Sequence, residues 1–278
     1  MSAGFVHLHV HSEYSVLDGA SKVDELIARS KQYGMTACAL TDHGSLFGAV
    51  DFYEAARKAG IKPIIGAELY VAKNGRFDRS ARSSGAASNH FLLLCENETG
   101  YHNLCRLSSL GYLEGFHYRP RVDDELLYQY REGLIATSAC LAGAIPQALL
   151  HDDIETANKV AQKYIDIYGK DNFLIELMEH GMPEQQKVNP LLVELADRHG
   201  LMVIATNDCH YTDKTDAEAH DALLCIQTNA MVDNEERFRF SSSNFYFCSG
   251  DEMREKFERW PEAVANTEKV AERLDVKL

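Results

Sequence analysis

The sequence predicts an α/β fold in which short parallel strands alternate with amphipathic helices. Three observations predict it. Seven short runs are nearly continuous in apolar residues, as strands covered on both faces must be. Segments with helical spacing and readable ends lie between them. Most of the runs also meet histidine or carboxylate residues, which parallel α/β folds carry at strand C-termini.

The apolar runs fall at 5–10, 36–41, 63–71, 91–95, 134–137, 173–178 and 202–206. Ser21 is placed to cap a helix with Val23, Leu26 and Ile27 on one face, ending at Gly34. A second helix is predicted over 46–59 before Gly60, and others over 100–113, 152–168 and 184–199, the last followed by Gly200. After residue 206 the alternation fades into helices at 216–226, 251–259 and 262–274, with Pro261 suited to a first helical position. The reading is one domain over 1–278, with a core to about residue 215 and a helical extension over about 216–278. Seven β-then-α units imply right-handed crossovers. A closed barrel and an open doubly wound sheet both fit, and seven strands exceed the usual open-sheet count, which favours the barrel. The segment 73–89, rich in Gly, Ser and Arg, is long for a connector.

Composition narrows the function. The 278 residues are 45% hydrophobic and 25% charged, an ordinary globular balance that excludes a disordered or collagen-like chain. No run approaches the apolar length of a membrane span. Met1-Ser2-Ala3-Gly4 leads straight into the first apolar run with no leader pattern, so no signal peptide is expected. Seven cysteines, Cys38, Cys95, Cys105, Cys140, Cys209, Cys225 and Cys248, form no C-x-x-C pair. That fits free thiols in a reducing cytoplasm. Asn97-Glu98-Thr99 matches a glycosylation acceptor only by chance on that reading. A net charge of −14 argues against unaided duplex binding, although bound cations could supply a positive field.

The 12 histidines are the main clue. The first run enters His7-Leu8-His9-Val10-His11, followed by Asp18 in Leu17-Asp18-Gly19. The second enters Thr41-Asp42-His43-Gly44, and the third contains Gly66-Ala67-Glu68. His90 precedes the fourth run rather than following it, Glu179-His180-Gly181 follows the sixth, and Asn207-Asp208-Cys209-His210 follows the seventh. Only the fifth, ending in Thr137-Ser138, carries no such group. Residues two apart on a strand share a face. His9 and His11 can therefore present two imidazoles to one ion, as can His7 and His9, and Asp208 with His210 repeats the geometry. Nitrogen and carboxylate donors suit zinc, manganese or iron. A bridging carboxylate such as Glu68 would allow the paired ions used in phosphoester hydrolysis. One H-x-H alone is weak, and a lone buried histidine is more often a satisfied core residue than a ligand. Agreement across six strand ends is what points to a multi-metal site.

His102, His117, His151, His199 and His220 carry no assigned role, and an ordinary hydrogen-bonded position is expected for His7. No phosphate loop, dinucleotide fingerprint, H-E-x-x-H or G-x-S-x-G motif is present, and Ser138 lacks the glycines of a nucleophile elbow. Arg76, Arg79, Arg82, Arg119 and Arg121 could meet phosphates or lie scattered on the surface. Phe77, Phe116 and Tyr118 near them could stack on bases.

The segments 7–19, 41–48 and 60–68 resemble the PHP (polymerase and histidinol phosphatase) domain. More narrowly they resemble the PHP domains that open bacterial DNA polymerase III alpha subunits, and 99–104, 112–116, 205–208 and 262–267 agree. The resemblance covers essentially the whole chain. It implies a distorted (β/α)7 barrel with up to three divalent ions, zinc, manganese or iron, at the strand C-termini. Carried over by position, His9, His11, Glu68 and Asp208 would hold the first ion. Glu68 would bridge to a second held by His90 and His180, and Asp18, His43 and His210 would hold a third. His9, His11, Glu68, Asp208 and His210 would carry the chemistry. Three ions bring about +6 against about −3 from Asp18, Glu68 and Asp208, so the cleft would attract phosphate.

The implied activity is 3′→5′ exonucleolytic proofreading of DNA. The implied partners are a single-stranded 3′ end, the rest of a DNA-directed DNA polymerase (a nucleotidyltransferase), and through it a proofreading subunit and sliding clamp. Polymerisation itself would lie outside these residues, in the absent remainder of such a chain. The alternatives are a metal-stabilised scaffold that docks a separate proofreading subunit, and a stand-alone phosphomonoesterase.

Overall fold

A computed structural model of the chain describes residues 4–16 and 18–278. Met1, Ser2 and Ala3 of the lead-in, and Leu17 of the Leu17-Asp18-Gly19 turn, lie outside the described residues. The strands are β1 (Ala37–Leu40), β2 (Lys62–Ala72), β3 (Ser88–Cys95), β4 (Arg121–Val122), β5 (Leu134–Thr137), β6 (Phe173–Met178) and β7 (Val203–Thr206). They form one curled sheet in the order β1-β2-β3-β5-β6-β7, with the short β4 paired to β2.

Two features correct the sequence reading. β3 is not parallel: it runs antiparallel to both β2 and β5. The run 5–10 is not a ladder strand but an extended segment lying between the two edges of the sheet. It bonds to the first edge through Ala39 N–H to His7 O (2.9 Å) and Thr41 N–H to Val10 O (2.8 Å). It bonds to the chain just after β7 through His11 N–H to Cys209 O (2.8 Å). These bonds are too irregular to make a ladder, yet they join the open edges, and the result is a distorted barrel.

The barrel interior is apolar at one end and ionisable at the other. Val6, Leu8, Ala37, Ala39, Ile64, Leu94, Ile135, Leu174 and Ile204 form an inner cluster, separate from the larger core between sheet and helices. Val270, Ala271 and Leu274, on or just after helix Pro261–Arg273, join that inner cluster and floor the barrel. The floor is also stitched by Val6 N–H to Thr267 Oγ1 (3.0 Å) and Lys62 Nζ to Ala271 O (2.8 Å). The metal-ligating residue types collect at the opposite end.

Helix ends follow local chemistry, with one correction. Lys22, not Ser21, is the N-cap of helix Val23–Gln32, and the buried Ser21 hydroxyl has no hydrogen-bond partner among the described residues. Asn97 uses its side chain to cap helix Glu98–Leu113, accepting from Gly100 N–H at 3.1 Å. Pro261 does open its helix, as its preset φ favours. Helices Asp124–Gln129 and Ala144–Leu150 were not predicted, being too short for a clear period. Among the described residues no helix is long and apolar enough to cross a membrane.

The long connector 73–89 is pinned rather than free. Arg121 is buried and donates to the carbonyls of Gly115 (2.9 Å), Arg76 (3.0 Å) and Asp78 (2.7 Å). Arg76 pairs with Glu114 (2.7 Å) and Asp123 (2.9 Å), and Arg79 donates to the carbonyls of Phe116 and Glu114. Three of the five arginines offered above for phosphate are thus engaged in holding this loop.

His7 is an ordinary buried residue, as expected. Its Nε2 donates to Cys248 O (2.8 Å), its Nδ1 lies 3.4 Å from Cys209 Sγ, and Phe247 packs on its ring. Burial pushes its pKa down to about 4. The folded chain therefore refuses a proton that the unfolded chain accepts below about pH 6.5. The stability that depends on neutral His7 is complete above that pH and is lost as pH falls toward 4. The loss is about 3 kcal/mol from this one group. Urea titrations from pH 7 to pH 4 should show His7→Gln losing less stability than the parent protein; an equal loss would refute the assignment.

Candidate metal centre

Local backbone structure brings the donors to one end of the barrel. β1 leads into Asp42 and His43, and Gly44 then turns the chain with φ of 62°. A Cβ there would meet Pro120 Cγ at 2.8 Å, so the turn requires glycine. Glu68 sits within β2 beside His43, and its backbone N–H reaches the carbonyls of Thr41 and Asp42. The reversal of β3 explains His90. An antiparallel strand presents its beginning where its parallel neighbours present their ends, and His90 lies opposite Tyr70 near the start of β3.

Among the described residues three groups of donors lie close enough to share ions: His9, His11 and Asp208; His43, Glu68 and His90; and His11, His43 and His210. Asp208 Oδ1 is 3.2 Å from His9 Nε2 and 3.1 Å from His11 Nε2. Glu68 reaches four imidazoles, at 3.6 Å (His9), 3.7 Å (His11), 2.9 Å (His43) and 3.0 Å (His90). Asp18 Oδ2 is 3.3 Å from His43 Nε2. Eight of the nine residues singled out from the sequence therefore lie together.

The far side of each ring is already tied. His9 Nδ1 donates to Glu176 Oε1 (2.7 Å), and Glu176 is also held by the hydroxyls of Thr137 and Thr206. His11 Nδ1 donates to Ser15 Oγ (3.0 Å), whose hydroxyl donates to Asp42 Oδ1 (3.0 Å). His210 Nδ1 donates to the carbonyl of Asp208 (2.8 Å). Such partners fix the tautomer and aim the Nε2 lone pair inward. Glu176 was missed in the sequence, where its one signal was a lone acid inside the apolar run 173–178.

His180 is the residue that the structure sets apart. Its Nδ1 accepts from Gln185 Nε2 (2.8 Å) and its Nε2 donates to Asn207 O (3.0 Å), which leaves no lone pair for an ion. Its ring stacks on Phe245, and its carbonyl accepts from Ser242 Oγ and Asn244 Nδ2. Cys140 stands beside the second group instead, with Sγ 3.4 Å from His90 Nδ1 and 3.5 Å from Glu68 Oε1. The fifth strand end, which seemed bare, thus contributes a thiol three residues past Thr137.

The residues fit divalent cations. Asp18 Oδ1 is buried with no hydrogen-bond partner among the described residues, and the buried Asp208 Oδ1 and His43 Nδ1 lie against the imidazoles of His9 and His11 and against Glu68, respectively, within the cluster. His9 Nε2 and His11 Nε2 face each other at 3.1 Å, a contact that only a shared proton or cation makes favourable. Burial opposes charge on Glu68 and Asp208, yet His90 and His9 hold Glu68, and His9 and His210 hold Asp208, well below the usual carboxylate range. Burial likewise opposes charge on His43, but Asp18 and Glu68 raise it to about 9, while burial and the neighbouring imidazoles of His43 and His210 push His11 down to about 3. The cluster calls for positive charge at its centre.

Residues 7–180 match the PHP domain, and the chain belongs to the PHP domain family. It is similar over 99% of its length to the DNA polymerase III subunit alpha of Treponema pallidum, at 48% identity over 274 residues. It is similar over the same share to that of Thermus aquaticus, at 46% identity over 281 residues. The chain spans only 23% of the length of each of these relatives. Among solved structures, a Bifidobacterium adolescentis protein described provisionally as a metal-dependent phosphoesterase aligns with 74% of this chain and 87% of its own. The identity is 16% and the TM-score 0.49, a likeness too weak to carry an argument about the site.

Proposed function

We propose that this domain hydrolyses phosphodiester bonds at up to three divalent ions, zinc, manganese or iron, and trims the single-stranded 3′ end of DNA beside a polymerase. The observation that carries the proposal is the set of overlapping donor groups, in which His11 and His43 each belong to two groups and Glu68 lies within 3.7 Å of His9, His11, His43 and His90. In this reading His9, His11, Glu68 and Asp208 hold one ion, and Asp18, His43 and His210 hold another. Glu68 with His90 holds a third, completed by Cys140 in place of His180.

Bound ions of this kind lower the pKa of water and neutralise charge developing on a phosphoryl group. The chain's own part is orientation. Glu176 fixes His9, and the Ser15–Asp42 pair fixes His11, so neither ring can turn away during turnover. The cluster opens on a cleft bordered by Asp18, His43, Glu68, Tyr70 and Asp208. Similarity to polymerase subunits supports DNA as the substrate and the rest of a polymerase chain as the partner, with a proofreading subunit and clamp reached through it. On this reading residues 216–278 lead toward that polymerase region while also flooring the barrel.

Cys140 makes the metal preference testable. Thiolate sulfur favours zinc over manganese. Cys140→Ser should lower zinc affinity at one site by about ten- to a hundredfold and change manganese affinity little. Competitive titration with a chromophoric chelator reads this, and an unchanged zinc affinity would remove Cys140 from the donor set.

The function is tested by incubating the metal-loaded protein with a single strand labelled at its 5′ end. A ladder of progressively shortened labelled products supports 3′→5′ removal of nucleotides. Hydrolysis confined to small phosphomonoesters would favour a phosphatase. Metal binding with no hydrolysis of either would favour a scaffold.

A further inference from the structure

Of the arginines considered for phosphate binding, Arg119 is the one that borders the metal cleft. Its guanidinium packs over the Tyr70 ring at 5.8 Å, and among the described residues it makes no ion pair within 4.0 Å. The loop that presents it is constrained. Tyr118 adopts φ of 64°, in the left-handed region that a bulky residue rarely occupies, and His117 N–H bonds to Arg119 O at 3.1 Å. Strain of that kind persists where surrounding structure holds a residue in a required place.

Phe238 also borders the cleft, on the segment before residue 250. It is 55% exposed, which folding alone does not explain. Its position is anchored next door, where the buried Arg237 guanidinium pairs with Asp221. From Phe238 an aromatic series leads inward, to Phe240 at 6.0 Å and from Phe240 to His210 at 5.0 Å. An exposed ring at the mouth of a metal cleft is a stacking surface for a base. An arginine on the same cleft that forms no ion pair within 4.0 Å among the described residues is a seat for phosphate.

We propose that Phe238 stacks on the terminal base of an unpaired DNA 3′ end while Arg119 holds a backbone phosphate of the same strand. This rests on the phosphodiesterase reading and sharpens it. The site takes an end whose last base is free to leave its partner, with little regard to which base it is. A fully paired end cannot offer its face to Phe238 without first unstacking, so the clamp selects frayed or mismatched termini.

The test is a titration in calcium buffer of a ten-nucleotide strand carrying 2-aminopurine at its 3′ terminus. Binding should quench the fluorophore, as stacking does, and quench it far less when it sits at the 5′ terminus. Phe238→Ala should abolish the 3′ quench and weaken binding about ten- to a hundredfold, and Phe238→Trp should restore both. Arg119→Gln should reduce the slope of log affinity against log salt by about 0.7. Equal quenching at both ends, or wild-type binding by Phe238→Ala, would overturn the clamp, as would an unchanged salt slope for Arg119→Gln. Hydrolysis of bis(4-nitrophenyl) phosphate by the parent protein, measured separately, reports on the underlying chemistry. Quenching without hydrolysis leaves the clamp standing and removes the nuclease, and hydrolysis without quenching does the reverse.

Discussion

Asp208→Asn is expected to abolish metal-dependent trimming of DNA while leaving the protein folded. Asp208 is almost fully buried, and one of its oxygens lies just over 3 Å from both His9 and His11. Its backbone adopts φ of 42°, a conformation that asparagine tolerates better than most residues. The substitution thus keeps shape and backbone while removing the charge. Breaking a buried charged set in this way costs ~3–5 kcal/mol, and if that falls on the reactive state the rate drops roughly a hundred- to several-thousandfold. Circular dichroism should show an intact fold, and the labelled-strand assay should show no ladder. Trimming within tenfold of the parent would remove Asp208 from the centre and end the proposed mechanism.

The second large effect is on stability. Saturating zinc or manganese should raise the melting temperature by about 5–15 °C over protein stripped with chelator. A ligand present at a hundred to a thousand times its Kd stabilises by ~2.7–4.1 kcal/mol, and each kcal/mol moves a chain of this size by ~2–4 °C. Calorimetry with and without chelator checks this, and Asp208→Asn should show a smaller gap. An identical melting temperature in both conditions would mean that no ion is held. A large gap in a protein that cleaves neither oligonucleotide nor small ester would assign the centre to structure alone.

Much of the fold was legible because short apolar runs bounded by glycines leave few alternatives. Strand direction was not. Nothing in the pattern of residues 88–95 distinguishes a parallel from an antiparallel strand, and the misplaced His90 was the one available hint. The N-caps were not legible: Ser21, the one side-chain cap read from the sequence, gives way to Lys22, and Asn97 and Asp153, which do accept from their N3 amides, were not singled out. At the site, eight of the nine chosen side chains lie together because strand ends carry them there. His180 stands at a strand end too, but position along the chain does not say which partners claim a ring, and Gln185 and Asn207 claim this one. Cys140 escaped notice because a single thiol after Ala139 carries no spacing signal. Glu176 belongs to a different kind of blindness: a carboxylate that supports a histidine shows itself only once both are placed.

The barrel floor carries a consequence for how the protein comes to exist. Residue 6 is joined to residue 267, and Glu96 O accepts from Asp275 N–H. Contacts of such span are slow to form, because a long loop must close before they repay it. As the chain leaves a ribosome, the side chains of the cluster emerge before the helix that plugs the opposite end. Nascent protein must wait with an open apolar throat, vulnerable to aggregation and to premature capture of metal. Truncation within the final helix should therefore impair yield and solubility far more than its distance from the chemistry suggests.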